Sequence, residues 1–192
     1  MTAADVLQDR AARREELLDA ADRIICRDGP ATSMAEIAAE AGISKPILYR
    51  HFGDKRGLYA ALTERYTGRL LGELRSALDS GHGRRDRVER TIRAYLSSIE
   101  SDPEVYRFLT RSGEGLPASS HVLSFRRRLA RLLADGIALE LGVHAARAET
   151  WAHGIVGMVE SAGDCWLETR HVTRDELVVQ LTELLFGAYA AA

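Results

Sequence analysis

Ser44, Lys45, Pro46, Ile47, Tyr49, Arg50, His51 and Lys55 put hydroxyls, cations and a phenol on one short stretch of chain. Those groups suit phosphate oxygens and base edges better than they suit bond-making chemistry. From Gly42 to Leu58, Lys45, Arg50, Lys55 and Arg56 stand against Asp54 alone, about +3 on a segment the size of a phosphate footprint. His51 adds a further donor. Lys45 and Lys55 are the only lysines in a chain whose other cations are arginines.

Two short helices and a tight turn must position these groups. Ser33 with Glu36 three residues on forms a capping box, each side chain satisfying a free backbone N–H. Ile37, Ala38 and Ala41 make the buried face of that helix. Gly42 supplies the left-handed residue of the turn, and Ile43 plugs the turn into the core. Ser44 caps the next helix, with Pro46 in its first turn, where a missing N–H costs little. Leu48 and Phe52 are four apart and anchor that helix, so Lys45, Ile47, Tyr49 and Arg50 point elsewhere. An exposed Tyr and Ile on a basic helix need a reason, and a helix-turn-helix reading duplex DNA supplies one.

An earlier helix, about residues 11–27, carries Leu17, Leu18, Ala21, Ile24 and Ile25 as one apolar stripe and stops at Gly29-Pro30. Arg10, Arg13 and Arg14 at its start are read as solvated surface, with DNA backbone contact as the alternative. Gly53 ends the recognition helix, and Asp54 caps a fourth helix, from Lys55 to about Ser80. Helical spacing then continues over about 86–100, with Val88, Ile92, Tyr95, Leu96 and Ile99 on one face, from Pro103 through Leu109, over about 120–140, with Leu129, Leu132 and Leu133, and over about 145–169 and 174–189. A loop at 112–117 lies among them. Ala, Leu, Arg and Glu dominate and no alternating Val/Ile/Thr stretch suggests a sheet. The expected fold is all-α with about nine helices.

Of 192 residues, 46% are apolar and 28% charged, with net charge −2, the profile of a globular protein and not of a basic nucleic-acid glue. No window approaches the roughly 18 uninterrupted apolar residues of a membrane span, and Asp5, Asp9 and Arg10 interrupt the N-terminus. A cytoplasmic protein without a membrane partner is expected. Cys26 and Cys165 fit no metal spacing and are read as reduced, mostly buried thiols. The chain has no Gly-x-Ser-x-Gly elbow. Its histidines, at 51, 82, 121, 144, 153 and 171, form no His-Glu-x-x-His pair. No enzyme activity, cofactor or metal is expected.

The run from Gly29 to Leu58, above all Leu48-Tyr49-x-His51-Phe52 followed by Lys55 and Leu58, resembles the TetR family of transcriptional regulators. The resemblance is dense over about residues 13–62; beyond, only the helical layout agrees. It implies a three-helix DNA-binding domain over 1–60 and an effector-binding and dimerisation domain over 61–192. Thr32 and Ser33 would meet a phosphate at a helix start. Ser44 and Lys45 would enter the major groove, where Lys45 donates to guanine or phosphate and Ile47 presses a thymine methyl. Pro46 offers van der Waals contact only, in a place where the family often has a small residue. Tyr49 and His51 resemble phosphate-contacting positions, and Lys55 resembles a phosphate clamp.

A two-fold homodimer on palindromic operator DNA follows from the small reach of one recognition helix. The last two helices, with Ile155, Val159, Ala162, Trp166, Leu177, Leu181 and Leu184 and with Gly154, Gly157 and Gly163 for close approach, are the candidate interface. Tyr66, Leu70, Tyr95, Ile99, Phe108, Leu109, Phe125, Trp151 and Val159 are candidates for lining an effector pocket. Ordinary core packing is the plainer reading for each. Their apolar character points to a hydrophobic or amphipathic, lipid-like or aromatic effector. The Arg126–Arg128 run is read as a solvated face, with an anionic ligand group as the alternative. The expected protein is a ligand-responsive repressor. The rival is a helical protein-interaction module that has lost DNA binding, against which Tyr49, His51 and Lys55 argue.

Overall fold

The structure, a computed structural model, describes the backbone of residues 3–29, 32–110 and 120–190 and the side chains of residues 8–29, 32–107 and 123–187. The described residues form nine α-helices and no strand. They are α1 (Ala3–Asp28), α2 (Met34–Glu40), α3 (Lys45–Phe52), α4 (Lys55–Ser80), α5 (Arg84–Ser101), α6 (Pro103–Thr110), α7 (Ser120–Leu141), α8 (Ala145–Thr169) and α9 (Arg174–Ala190). The starts of α4, α7, α8 and α9 fall where the sequence places them. The first helix begins earlier than its apolar stripe, because polar residues propagate a helix that the stripe has nucleated. The loop expected at 112–117 lies outside the described residues.

The chain forms two compact units. One takes in residues 1–66 and 104–121, the other residues 67–103 and 122–192. In the first, α2 packs on α1 and α3 on α2. Leu17, Leu18, Ile25, Ile37, Leu48 and Leu58 are sealed in one core, with Phe52 at its margin. Each such side chain contributes about 1.5–3 kcal/mol over its exposed state. Around that core, Glu40 of α2 accepts from Arg27 at 3.1 Å and Arg23 at 3.4 Å on α1. Arg65 of α4 gathers Asp19 at 2.7 Å, Glu15 at 3.5 Å and Asp22.

Within the second unit α5 packs on both α8 and α9. At Gly163, α8 packs closely on α5. A Cβ there would stand 3.0 Å from Ile99 Cδ1 and 3.2 Å from Tyr95 Cε1. Glu100 of α5 accepts from Arg170 at 2.7 Å and Arg174 at 3.0 Å, pinning the α8–α9 connection. Trp166 is fully buried, and its Nε1 donates to the Val172 carbonyl at 2.9 Å.

Two sequence expectations are corrected by packing. Both Cys26 and Cys165 are exposed: Cys26 lies off the α1 stripe, and Cys165 is on the outer side of α8, next to inward-facing Trp166. Gly163 serves contact within the chain, whereas Gly154 and Gly157 are exposed with open space where a Cβ would go.

Candidate functional site

The capping box at α2 is complete. Ser33 N–H donates to Glu36 Oε2 at 2.7 Å, and Glu36 N–H donates to Ser33 Oγ at 3.3 Å. The Ser33 backbone and side-chain donors hold the exposed Glu36 carboxyl below its usual pKa. Thr32 is buried, and its hydroxyl donates to the Gly29 carbonyl at 2.6 Å, so that donor is used within the chain. After α2, Gly42 adopts φ +65° and donates to the Ala39 carbonyl at 3.0 Å, while Ile43 N–H returns to Ala38 O at 3.0 Å. These bonds turn the chain tightly enough to lay α3 beside α2.

Ser44 is the N-cap of α3 in extended conformation, and its hydroxyl makes no capping hydrogen bond. The helix start therefore presents the Ser44 hydroxyl and few backbone donors beside it, since Pro46 has no N–H and the Ile47 and Leu48 N–H groups donate to the Ser44 carbonyl at 3.0 and 3.3 Å. Leu48 (0% exposed) and Phe52 (7%) hold the helix down. Ser44, Lys45, Pro46, Tyr49 and Arg50 are exposed, and Ile47 is half-buried. Lys45 Nζ lies 5.8 Å from the Tyr49 ring centroid, so a cation–π contact steadies the lysine at the helix tip.

Gly57 makes the junction with α4 possible. A Cβ there would fall 1.9 Å from the Phe52 carbonyl oxygen. The Gly57 N–H donates to Asp54 Oδ1 at 2.7 Å, giving α4 its cap. That junction delivers Lys55, whose Nζ sits 5.2 Å over the Tyr59 ring.

The structure also gathers charge around His51 that spacing along the chain does not reveal. Burial lowers the pKa of His51 most, followed by the positive charges of Arg10, Arg50, Arg13 and Arg14. Arg14 stacks on Phe52 at 5.1 Å. The start of α1 thus extends the basic surface of α3. The sequence held its three arginines only as an alternative to solvated surface, because their distance from α3 is set by tertiary packing.

A cavity of about 520 Å³ lies in the second unit. Its buried wall includes Leu74 of α4, Ile92 and Tyr95 of α5, Leu129 of α7, and Val156 and Val159 of α8. Exposed Arg75, Asp79, Arg84, Asp135 and Glu140 mark its rim. Arg87 pairs with Glu140 there. Deeper in the wall, Glu160 is 13% exposed and accepts from Arg126 Nε at 2.7 Å. Burial raises its pKa, opposed by Arg126.

Of the residues the sequence proposed for a pocket, Tyr95 and Val159 line this cavity. Tyr66, Leu70, Ile99 and Phe125 are buried elsewhere, Trp151 is half-buried outside the wall, and the side chains of Phe108 and Leu109 lie outside the described residues. Ile155, proposed for a dimer seam, lines the cavity as well. Leu74, Val88, Ile92 and the Leu129, Leu132 and Leu133 group also line it. Sequence periodicity marked most of these as inward-facing without separating close-packed positions from those around a void. Of the other seam candidates, Trp166, Leu177 and Leu181 are buried within the single chain, Ala162 is half-buried, and Leu184 is 58% exposed.

Geometry and charge at α2–α3 define a helix-turn-helix DNA-binding protein. The family model for bacterial regulatory proteins of the tetR family matches residues 17–62, and that for the tetracyclin repressor-like C-terminal domain matches residues 73–192. The chain belongs to the TetR family of transcriptional regulators. It is 35% identical to an uncharacterised HTH-type transcriptional regulator of Mycobacterium tuberculosis strain H37Rv, over 94% of this chain and 79% of that protein. It is 30% identical to the HTH-type transcriptional activator FasR of Mycolicibacterium smegmatis, over 93% and 83%. A crystal structure of a TetR-like regulator from Rhodococcus sp. RHA1 aligns with TM-score 0.72 at 29% identity, over 95% of this chain and 98% of that one. The regulator FadR from Bacillus subtilis, solved in complex with stearoyl-CoA, shares the fold with TM-score 0.67 at 18% identity, over 89% and 96%. Among the described residues, no helix is long and apolar enough to cross a membrane.

Proposed function

We propose that this regulator is a ligand-responsive repressor that binds a palindromic operator as a homodimer and is released by a small hydrophobic effector. The observation that carries the reading is the apolar cavity in the unit that follows the DNA-binding helices. A volume of about 520 Å³ falls in the range of small-molecule sites. Its walls come from α4, α5, α7, α8 and α9, so an occupant can bias the arrangement of several helices together. FadR from Bacillus subtilis, which shares this fold, was solved in complex with stearoyl-CoA, and that supports an apolar ligand here. Repression is the simpler sign of control, since occupying a promoter excludes polymerase without any further contact. FasR carries the name of an activator, so the sign has to be measured.

Ser44, Lys45, Pro46, Ile47, Tyr49 and Arg50 are proposed to read the groove and flanking phosphates, with Ser33, His51 and Lys55 on the backbone. Thr32 is proposed only for packing, since its hydroxyl and its backbone N–H both donate to the Gly29 carbonyl, at 2.6 and 3.4 Å. For the dimer, exposed Gly154, Gly157, Ser161 and Cys165 of α8 follow helical spacing. On α9, Val179 (44%) and Leu184 (58%) leave apolar surface exposed. These two faces are proposed to build a four-helix interface.

Selection from random duplex DNA, followed by competition with apolar compounds, tests the whole reading. Enrichment of a palindrome and its release by an amphiphile are expected. A selected site that no apolar compound releases would overturn effector control. Leu184→Glu should convert dimers to monomers by light scattering while leaving the helical circular dichroism signal intact; a variant dimer of unchanged mass removes α9 from the interface.

A further inference from the structure

Glu160 sets an unusual demand on whatever fills the cavity. It is a carboxylate in a wall otherwise made mainly of Leu, Ile and Val, with its side chain 13% exposed. Oε2 accepts from Arg126 Nε at 2.7 Å. Asp164, one turn further along α8, adds negative charge to the same neighbourhood. The cationic lining residues do not outweigh this. Arg75, Arg84 and Arg87 face Asp79, Asp135, Glu140 and Glu160, and Arg87 is already paired with Glu140.

A mostly buried carboxylate has lone pairs to spare for a further donor, and a second carboxylate brought beside it is costly, because like charges repel strongly where water is scarce. An apolar chain whose head carries an O–H or N–H meets both conditions. We infer that Glu160 is a specificity-determining residue of the cavity, accepting a hydrogen bond from a hydroxyl or amide N–H at the head of an apolar effector and excluding the same chain when it ends in a free carboxylate. This rests on the cavity being the effector site.

Three ten-carbon probes that differ only in the head separate the possibilities: 1-decanol, decanamide and decanoate, below their micellar concentrations at neutral pH, measured by titration calorimetry on the full chain. Decanol and decanamide should bind the wild type about tenfold or more tighter than decanoate, the scale of one hydrogen bond to a charged acceptor. In Glu160→Gln, which keeps the shape and offers an N–H₂, the decanoate penalty should disappear. The wild-type ranking needs no variant, so a misfolded Glu160→Gln leaves the test intact. A cavity-filling Val156→Phe should abolish binding of all three. Equal affinities in the wild type, still lost in Val156→Phe, would overturn the role of Glu160 while the cavity reading stands. Binding of none of the three, or binding indifferent to Val156→Phe, would overturn both.

Discussion

The first unit exposes its informative residues, and the second hides them. Around α3 the exposed side chains include Lys45, Tyr49 and Arg50, set by Leu48 and Phe52 beneath. In the second unit the informative side chains are Ile92, Val156, Val159 and Glu160, which face a void, while the outer faces of α8 and α9 carry small or scattered apolar residues. A DNA reader faces a partner of fixed geometry, so its chemistry is confined to a few exposed types at fixed spacing. An effector cavity is defined by where packing stops, and many apolar residue sets can leave the same space. One region therefore writes its function in residue identity, the other in shape.

Trp166 gives the largest effect and tests whether α8 has been divided correctly into inner and outer faces. Trp166→Ala should destabilise the folded chain by about 3–5 kcal/mol in chemical denaturation, because it deletes a sealed aromatic and the donor to Val172. If Trp166 instead belonged to a subunit seam, the variant would dissociate with its monomer stability nearly intact. Analytical ultracentrifugation beside the denaturation curve separates these outcomes.

Next come the residues proposed to face the groove. Lys45→Ala and Ile47→Ala should each relax base preference at one or two operator positions, about 1–3 kcal/mol of discrimination, with thermal stability preserved. A binding selection that returns the wild-type motif from both would break the assignment of α3 to the groove. Lys55→Ala should act differently. Held over Tyr59 at the start of α4, it is placed for a phosphate, so its loss should weaken binding to all sequences and reduce the slope of log K against log salt by about 0.9. An unchanged slope would mean that Lys55 does not touch the backbone of the duplex.

The contrast between regions also explains what was legible beforehand. Ser33, Glu36, Gly42, Ser44 and Gly53 carry local rules for caps and turns, so α2 and α3 follow from sequence nearly to the residue. The apolar face of α5 likewise comprises Val88, Ile92, Tyr95, Leu96 and Ile99, all buried except half-buried Val88. Yet only Val88, Ile92 and Tyr95 of that set reach the cavity. Which stripe residues interlock depends on the crossing of α5 with α7 and α8, a property of no single helix. Gly57 shows the same boundary: a glycine in a first helical turn reads as a weakness until the Phe52 carbonyl is seen 1.9 Å from the missing Cβ. The cluster of Arg10, Arg13 and Arg14 with His51 joins two helices and has no signature in spacing.

His51 gives the smallest effect and the sharpest test of that cluster. Burial and four arginines favour the neutral ring, so in the free protein its pKa lies below the usual imidazole value of about 6.5. For folding, the neutral ring's contribution is present above the unfolded pKa and is lost as pH falls through the lowered folded one. For DNA the sign reverses. A phosphate near the ring offsets the arginine charges and raises the bound pKa, so binding takes up a proton. Affinity should rise as pH falls through the bound pKa and level off below the free one. His51→Gln should remove most of this rise while keeping a hydrogen-bond donor. Dissociation constants for one operator duplex at pH 8, 7 and 6, at fixed ionic strength, suffice to measure it. A wild type whose affinity is flat across that range, with His51→Gln superimposed on it, would place the ring away from the phosphates and leave the α1 arginines as the outer edge of the basic surface.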